Sequence, residues 1–157
     1  MSFPEKYKIV RALSPATDAA GREGDVVSLK NANKAWIVAQ ITQGDANVVL
    51  LTVSQCQHVN NVGIKAITST VPIWANLDCA ASDTLVRRTD AVNYTTDAGV
   101  KHKIVVFQVD PASLDTANGF DCITITTGAS NVGNITSAVY YLDMRFQEDA
   151  LPAVITD

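Results

Sequence analysis

Residues 34–56, KAWIVAQITQGDANVVLLTVSQC, constrain the fold more than any other stretch of the chain. Two runs rich in apolar and β-branched residues flank the polar turn Gln43-Gly44-Asp45-Ala46-Asn47. Gly, Asp and Asn tolerate the dihedrals that reverse a chain, so the pattern predicts two long strands paired as a hairpin. In the first strand Ala35, Ile37, Ala39 and Ile41 share one face, and Lys34, Trp36, Val38, Gln40 and Thr42 share the other. In the second, Val49, Leu51 and Val53 oppose Val48, Leu50, Thr52 and Ser54. A strand with one wet face alternates cleanly between apolar and polar residues. Here the second face is mixed, with Trp36, Val38, Val48 and Leu50 among its members, which predicts cover on both sides. On that reading Val38→Asp buries an unpaired charge and unfolds the domain.

The rest of the chain repeats the theme of short strands between turns. Residues 1–25 mix apolar Phe3, Tyr7, Ile9, Val10 and Leu13 with charges and end in a Pro/Gly-punctuated loop. They read as an extended arm or short edge strand followed by a loop; a helix over 4–12 has Pro4 well placed but poor apolar spacing. Further strands are expected at 26–29, 64–70, 85–88, 91–95, 101–109, 120–127 and 137–146. The segment 71–74 contains Pro72 and is expected as an edge strand or irregular segment, because proline cannot donate to a ladder. One short helical turn is expected near 111–115, capped by Asp110 with Pro111 in first position. Residues 147–157 form an acidic tail. The pattern I-T-x-G-x-x-N-V occurs at 41–48 and again at 125–132, consistent either with two hairpins converging on one turn chemistry or with equivalent pieces of two halves. About eight strands without a long helix predict an all-β, two-sheet antiparallel β-sandwich, jelly-roll-like, as a single domain over 1–157.

Composition narrows the function classes. Only 18% of residues are charged, below the ~25% of an average soluble domain, which suits a chain that rests against a partner. The net charge is −4 with no basic cluster, against nucleic-acid binding by charge neutralisation. No apolar run approaches the ~20 residues of a membrane helix, and no apolar leader core is read before the domain. Three cysteines without C-x-x-C spacing predict buried, reduced thiols made in a reducing cytoplasm.

The search for chemistry yields weak candidates. Cys56 and His58 lie at one strand end, but Cys–His catalysis needs contact and a third orienting group, so a buried thiol and an exposed loop His are expected. The same two residues lack a second spaced pair to complete a tetrahedral metal site. Asp110, Asp115 and Asp121 lack the glycine placement of a calcium loop, and no phosphate loop is present. The expectation is a non-enzymatic module with no catalytic residues, metal or cofactor. The aromatics Phe3, Tyr7, Trp36, Trp74, Tyr94, Tyr140 and Tyr141 fit a core or a protein interface better than ligand stacking.

Over nearly its whole length the chain resembles a group of small structural proteins encoded beside the major capsid protein of tailed bacteriophages. The resemblance is carried by Leu13-Ser-Pro-Ala-Thr-Asp-Ala-Ala-Gly-Arg, Val71-Pro-Ile-Trp-Ala-Asn, Asp110-Pro-Ala-Ser-Leu-Asp, Gly119-Phe-Asp-Cys-Ile-Thr and Pro152-Ala-Val-Ile-Thr-Asp. It implies a capsid decoration, or cement, protein: β-rich, made in the host bacterial cytoplasm, and located on the virion exterior. Its implied partners are the major capsid protein and further copies of itself, as dimer or trimer, with no nucleic acid and no membrane. In that role Phe3, Tyr7 and Ile9 of the arm and Leu151, Val154 and Ile155 of the tail are expected to reach neighbouring subunits, with Trp36 and Trp74 as further interface residues. The alternative is a carbohydrate- or receptor-binding sandwich, head-fibre or adhesin-like, with Trp74 and Tyr94 as an aromatic platform.

Overall fold

The two runs around the Gly44 turn do not pair with each other: they lie in different sheets. The computed structural model describes residues 2–146, so the expected tail at 147–157 lies outside the described residues. A four-residue helix α1 (Phe3–Lys6) leads into β1 (Tyr7–Thr17), β2 (Arg22–Glu23), β3 (Val27–Ser28) and β4 (Ala32–Gln43). Then come β5 (Leu50–Cys56), β6 (Lys65–Ala66), β7 (Val71–Asn76), β8 (Val86–Ala91) and β9 (Asn93–Thr95). The chain continues with β10 (His102–Val109), two 3-10 turns (Pro111–Ser113 and Thr116–Asn118), β11 (Cys122–Thr127) and β12 (Asn134–Met144). The large sheet has the order β1-β12-β4-β10-β7-β8 and the small sheet β2-β11-β5-β6, with β3 also on β11 and β9 also on β5. The strand pairings among the described residues are antiparallel, giving a two-sheet all-β sandwich.

Period-two alternation sets the core. Ala35, Ile37, Ala39 and Ile41 of β4, Val105, Phe107 and Val109 of β10, and Ala138, Tyr140 and Leu142 of β12 are buried. They face Leu51 and Val53 of β5 and Ile123 and Ile125 of β11 from the small sheet. Folding over brings the apolar faces of β4 and β5 together across the sandwich, where a flat hairpin would set them side by side and leave both to find other cover. This corrects the hairpin expectation. It also explains the repeated I-T-x-G-x-x-N-V pattern: 41–48 carries the chain from the large sheet to the small one, and 125–132 carries it back alongside. Their glycines permit the close approach. The Gly44 N–H donates to the Gly133 carbonyl at 3.1 Å, and a Cβ on Gly44 would collide with that same oxygen.

Four crossings sit side by side at this edge, tied by buried polar groups. Asn134, fully buried, donates to the Asn47 carbonyl at 2.7 Å and the Ser130 hydroxyl at 2.9 Å, and accepts from the Asp45 N–H at 2.9 Å. Asp18, also fully buried, accepts from the Arg22 guanidinium at 2.9 Å and from the Thr136 hydroxyl, while the Arg22 group also donates to the Thr136 carbonyl at 2.7 Å. On the other flank the buried Lys103 ammonium donates to Gln43 Oε1 at 2.8 Å, Asp97 O at 2.9 Å and Asp97 Oδ1 at 2.5 Å. Those three acceptors use all three of its donors. Thr96 joins the set, donating its hydroxyl to Gln43 Oε1 and accepting from the Val49 N–H, both at 2.9 Å. Between the sheets, the buried Tyr140 hydroxyl donates to the Asp25 carbonyl at 2.7 Å and accepts from the Ile125 N–H at 3.1 Å.

Several expectations change with the topology. Of the two alternatives for the first 25 residues, the edge strand holds and the arm does not: β1 runs eleven residues along β12 at the edge of the large sheet, longer than expected, and the segment then crosses to pair with β11. The described residues form twelve strands where about eight were expected, because short pieces such as β2, β3, β6 and β9 pair on the rims. Of 64–70, only Lys65–Ala66 is strand. β7 lies inside the large sheet, between β10 and β8. Pro72 is tolerated there because β10 pairing stops at Ile73 and the β8 register shifts between Val71 and Ile73. Val38 belongs to the outer, half-buried face of β4, so Val38→Asp does not place a charge in the core. The Asp110 cap forms as expected, its carboxylate accepting from the Ala112 N–H.

Two predictions follow from these ties. Tyr140→Phe strands a buried N–H and a buried carbonyl, so it is expected to cost about 1–3 kcal/mol and lower Tm by roughly 3–10 °C in a thermal melt. Asp78, Asp97 and Asp115 have their pKa values lowered, in each case chiefly by a hydrogen bond from a lysine: Lys101, Lys103 and Lys65 respectively. A depressed folded pKa gives stability that is present above the unfolded carboxylate value, about 4, and is lost as pH falls through the folded one. Stability measured by urea melts is expected to decline below about pH 4, and Asp97→Asn to flatten part of that decline.

Candidate functional site

The two outward faces of the sandwich differ. On the small sheet, the positions alternating with the core are Leu50, Thr52, Ser54 and Cys56 on β5 and Cys122, Thr124 and Thr126 on β11; Leu50 is exposed, Thr52 and Thr126 are half-buried, and the rest are buried. On the large sheet they are largely apolar. Because cross-strand partners share a face, the registers lay them out in rows. One row runs Ile9, Tyr141, Trp36, Gln108 across β1, β12, β4 and β10. The next runs Arg11, Val139, Val38, Val106, Trp74, Arg87 across all six strands. A third holds Ser137, Gln40, Ile104 and Asn76.

The helix α1 folds over one corner of this face. Its Phe3 ring packs on Tyr7 at 4.8 Å and on Tyr141 at 5.7 Å between centroids, and Tyr7 meets the Trp36 ring edge-on at 5.9 Å. The Trp36 indole N–H donates to Gln108 Oε1 at 3.3 Å, which satisfies the one polar atom of that ring. At the opposite flank the Arg87 guanidinium lies 4.8 Å from the centre of the Trp74 ring. Phe3 and Ile9 remain 53% and 49% exposed, and the valines, Ile104, Tyr141 and both tryptophans stay half-buried.

The structure therefore brings Phe3, Tyr7, Ile9 and Trp36 onto one surface and places Trp74 at its far side. Leu151, Val154 and Ile155 lie outside the described residues. Tyr141, Val139, Val106 and Ile104 complete the surface; the signal for them was the mixed apolar character of the second face on strands that also carry a full core face. Phe3, Tyr7 and Ile9 do not reach outward as an arm: Tyr7 and Ile9 are rungs of β1 against Asp143 and Tyr141. The proposed platform of Trp74 and Tyr94 does not form, because Tyr94 sits on β9 against Leu51 of the small sheet.

The thiol candidate is unreactive in this setting. Cys56 is fully buried, its Sγ lies 3.5 Å from Asn61 Oδ1, and burial pushes its pKa up to about 11. His58 sits in an isolated bridge with Val62, and His102 Nδ1 lies 3.3 Å from the Thr42 hydroxyl. Among the described residues no group of three or more His, Cys, Asp and Glu is gathered as metal ligands. None of the helices among them is long and apolar enough to cross a membrane.

A charge placed on the outer face should be tolerated. Val38→Asp is expected to keep a cooperative melt at a cost of about 1 kcal/mol, against about 2–5 kcal/mol for Ile37→Ala in the core. The same change should reduce binding of a hydrophobic fluorescent dye.

No family model and no curated protein matches the sequence. Among solved structures, the chain is similar to the SPBc2 prophage-derived protein YomS, with 9% identity, a TM-score of 0.49, and coverage of 87% of this chain and 92% of that one. It is less similar to a structure described as "CBM4 structure and function", at 11% identity and TM-score 0.33, covering 88% of this chain and 68% of that one. A structure of infectious bursal disease virus Gx strain aligns at 7% identity and TM-score 0.24, over 87% of this chain and 39% of that one. At these identities and scores the likenesses carry no argument about activity or partners.

Proposed function

We propose that this chain is a non-enzymatic virion structural protein that binds the outer surface of a phage capsid and stabilises the shell by bridging its subunits, acting as an oligomer. The observation that carries this reading is the outer face of the large sheet, where Trp36, Val38, Val106, Val139 and Tyr141 are half-buried and Phe3 and Ile9 exposed. Three rows ~6.8 Å apart, the longest crossing six strands spaced ~4.8 Å apart, span about 24 by 14 Å, or about 340 Å². An apolar patch of a few hundred Å² rimmed by polar residues is often functional, and a standard interface of ~800 Å² per partner would extend beyond it. The aromatic corner supplies rigid anchors of the kind that dominate binding energy, and Arg11 and Arg87 stand at the two ends of the longest row as part of a polar rim. The sequence resemblance to capsid-associated proteins supports the same partner.

Trimming residues 1–10 is a poor test, because it would remove four rungs of the β1–β12 ladder. Point changes on the outer face separate binding from folding. Purified heads lacking the protein are incubated with the wild type, Trp36→Ser or Val106→Glu, and the pellet is quantified after sedimentation. Each variant is expected to lose at least about tenfold in occupancy while its Tm falls by only a few degrees. Full occupancy by folded variants would move the docking surface elsewhere. A wild-type chain that never sediments with heads but binds a glycan array would replace this reading with the carbohydrate-binding one.

A further inference from the structure

We propose that Cys56 and Cys122 form a latent cross-strand disulfide site: two thiols held opposite each other beneath the 57–64 turn, which a small-molecule disulfide in an oxidising medium converts to one S–S bond joining β5 to β11. The two residues are direct partners in the β5–β11 register. Both are free thiols, and both are buried together with Val26 in a cluster separate from the main core, against which Val59 and Ile64 pack. By the alternation of β5 and β11 they lie on the outward face of the small sheet, the face away from Leu51, Val53, Ile123 and Ile125. They are therefore shielded only by a local turn and β3-side residues, outside the sandwich interior.

The register also sets the reach. The Gly128 N–H donates to the Leu50 carbonyl at 2.9 Å, which marks that pair as hydrogen-bonded, and the alternation along the ladder puts Cys56 and Cys122 in the same class. Ile125, in the other class, confirms the phase by turning its N–H to Tyr140 and its carbonyl to Gly24. Hydrogen-bonded antiparallel partners have Cα atoms about 5.5 Å apart, inside the ~4.4–6.8 Å range that a disulfide spans. The Cβ atoms of hydrogen-bonded partners start at about 5.5 Å, wider than the ~3.5–4.5 Å of a disulfide, so the bond draws the ends of β5 and β11 together locally by about 1 Å.

The roof explains why the pair stays reduced until conditions change. The 57–64 turn is held by the His58–Val62 bridge, by Asn61 Nδ2 donating to Glu23 Oε2 at 2.7 Å, and by Gln57 Nε2 donating to the Asn118 carbonyl at 2.9 Å. Asn61 sits at φ 66, the left-handed region that Asn tolerates. Such an exposed turn opens at far lower cost than the sheet beneath it. In the closed state burial raises both thiol pKa values, to about 11 for Cys56 and about 12 for Cys122, so thiolate is scarce. On opening, one cysteine attacks the reagent's S–S bond, releasing one reagent thiol and leaving a mixed disulfide. The second cysteine attacks that bond, releasing the second reagent thiol. Two protein S–H bonds are lost, one S–S bond forms, and the two electrons and two protons end on the reagent. The bond would tether strands at the middle of the small sheet and close the long loop between them.

The test uses the full chain and oxidised glutathione as the probe. After prolonged incubation and alkylation, the intact mass is expected to be two hydrogens lower with no bound glutathione. Peptide mapping should show Cys56 joined to Cys122 and Cys79 alkylated. The melting temperature should rise by several degrees and return when dithiothreitol is added. Cys79, half-buried after β7 and outside the cluster, is the internal control, and Cys79→Ser should oxidise in the same way. Two cysteines of the pair still alkylatable, a stable glutathione adduct on one of them, or bridges through Cys79 would each overturn the proposal. Because this experiment needs only the isolated protein, its failure leaves the capsid reading untouched, and failure to bind heads leaves the disulfide site standing.

Discussion

The structure depends on the chain being able to fold over at one edge, and that edge is held by buried polar groups that are fully partnered. Four crossings lie side by side there, and each would leave backbone N–H and carbonyl groups away from both water and a ladder. Asn134 supplies two donors and an acceptor to the neighbouring crossing, Asp18 gathers Arg22 and Thr136, and Lys103 saturates its three donors on Gln43 and Asp97. A buried ammonium is costly unless every donor is met and a counter-charge is near, and here Asp97 keeps its own carboxylate half in water while facing the lysine. Such a set contributes less to net stability than its contacts suggest, but it admits one register of the strands that it ties.

The fold-over divides the apolar residues into those that meet across the sandwich and those that cannot. Inner positions of β4, β10 and β12 find β5 and β11 opposite. Outer positions of the same strands, Trp36, Val38, Val106, Val139 and Tyr141, face away from the small sheet. On the small sheet the corresponding positions hold Leu50, Thr52, Ser54, Cys56, Cys122, Thr124 and Thr126, most of them buried. The proposed role on a capsid uses the outer face of the large sheet, and the paired cysteines belong to the small sheet.

Much of the local structure was legible from residue patterns. Alternation separated the two faces of β4 and β5, and the Asp110-Pro111 signal identified a helical turn with its cap. The short rim strands β2, β3, β6 and β9 were not legible, because two or three residues carry no period and pair only where a longer strand offers an edge. β1 was hidden by its charges and by two register shifts that break its alternation against β12. The aromatic surface was half visible: Trp36 stood out as a large apolar residue on a mixed face, but its union with Tyr141, Phe3 and Tyr7 needed β1 beside β12 and β12 beside β4.

Residue order by itself determined that the chain is a set of short antiparallel strands with apolar inner faces, since side-chain alternation is a property of the extended backbone alone. Only the tertiary structure decided that residues 34–56 bridge two sheets. A polar turn of five residues reads the same whether the chain returns beside itself or passes to another layer. The choice rests on partners distant in sequence: β12 and β10 occupy both edges of β4, and Asn134 and Gly133 receive the turn. The same fact assigns cover to the two faces of that stretch. One is buried against β5 and β11, and the other, with Trp36 at its aromatic corner, faces outward.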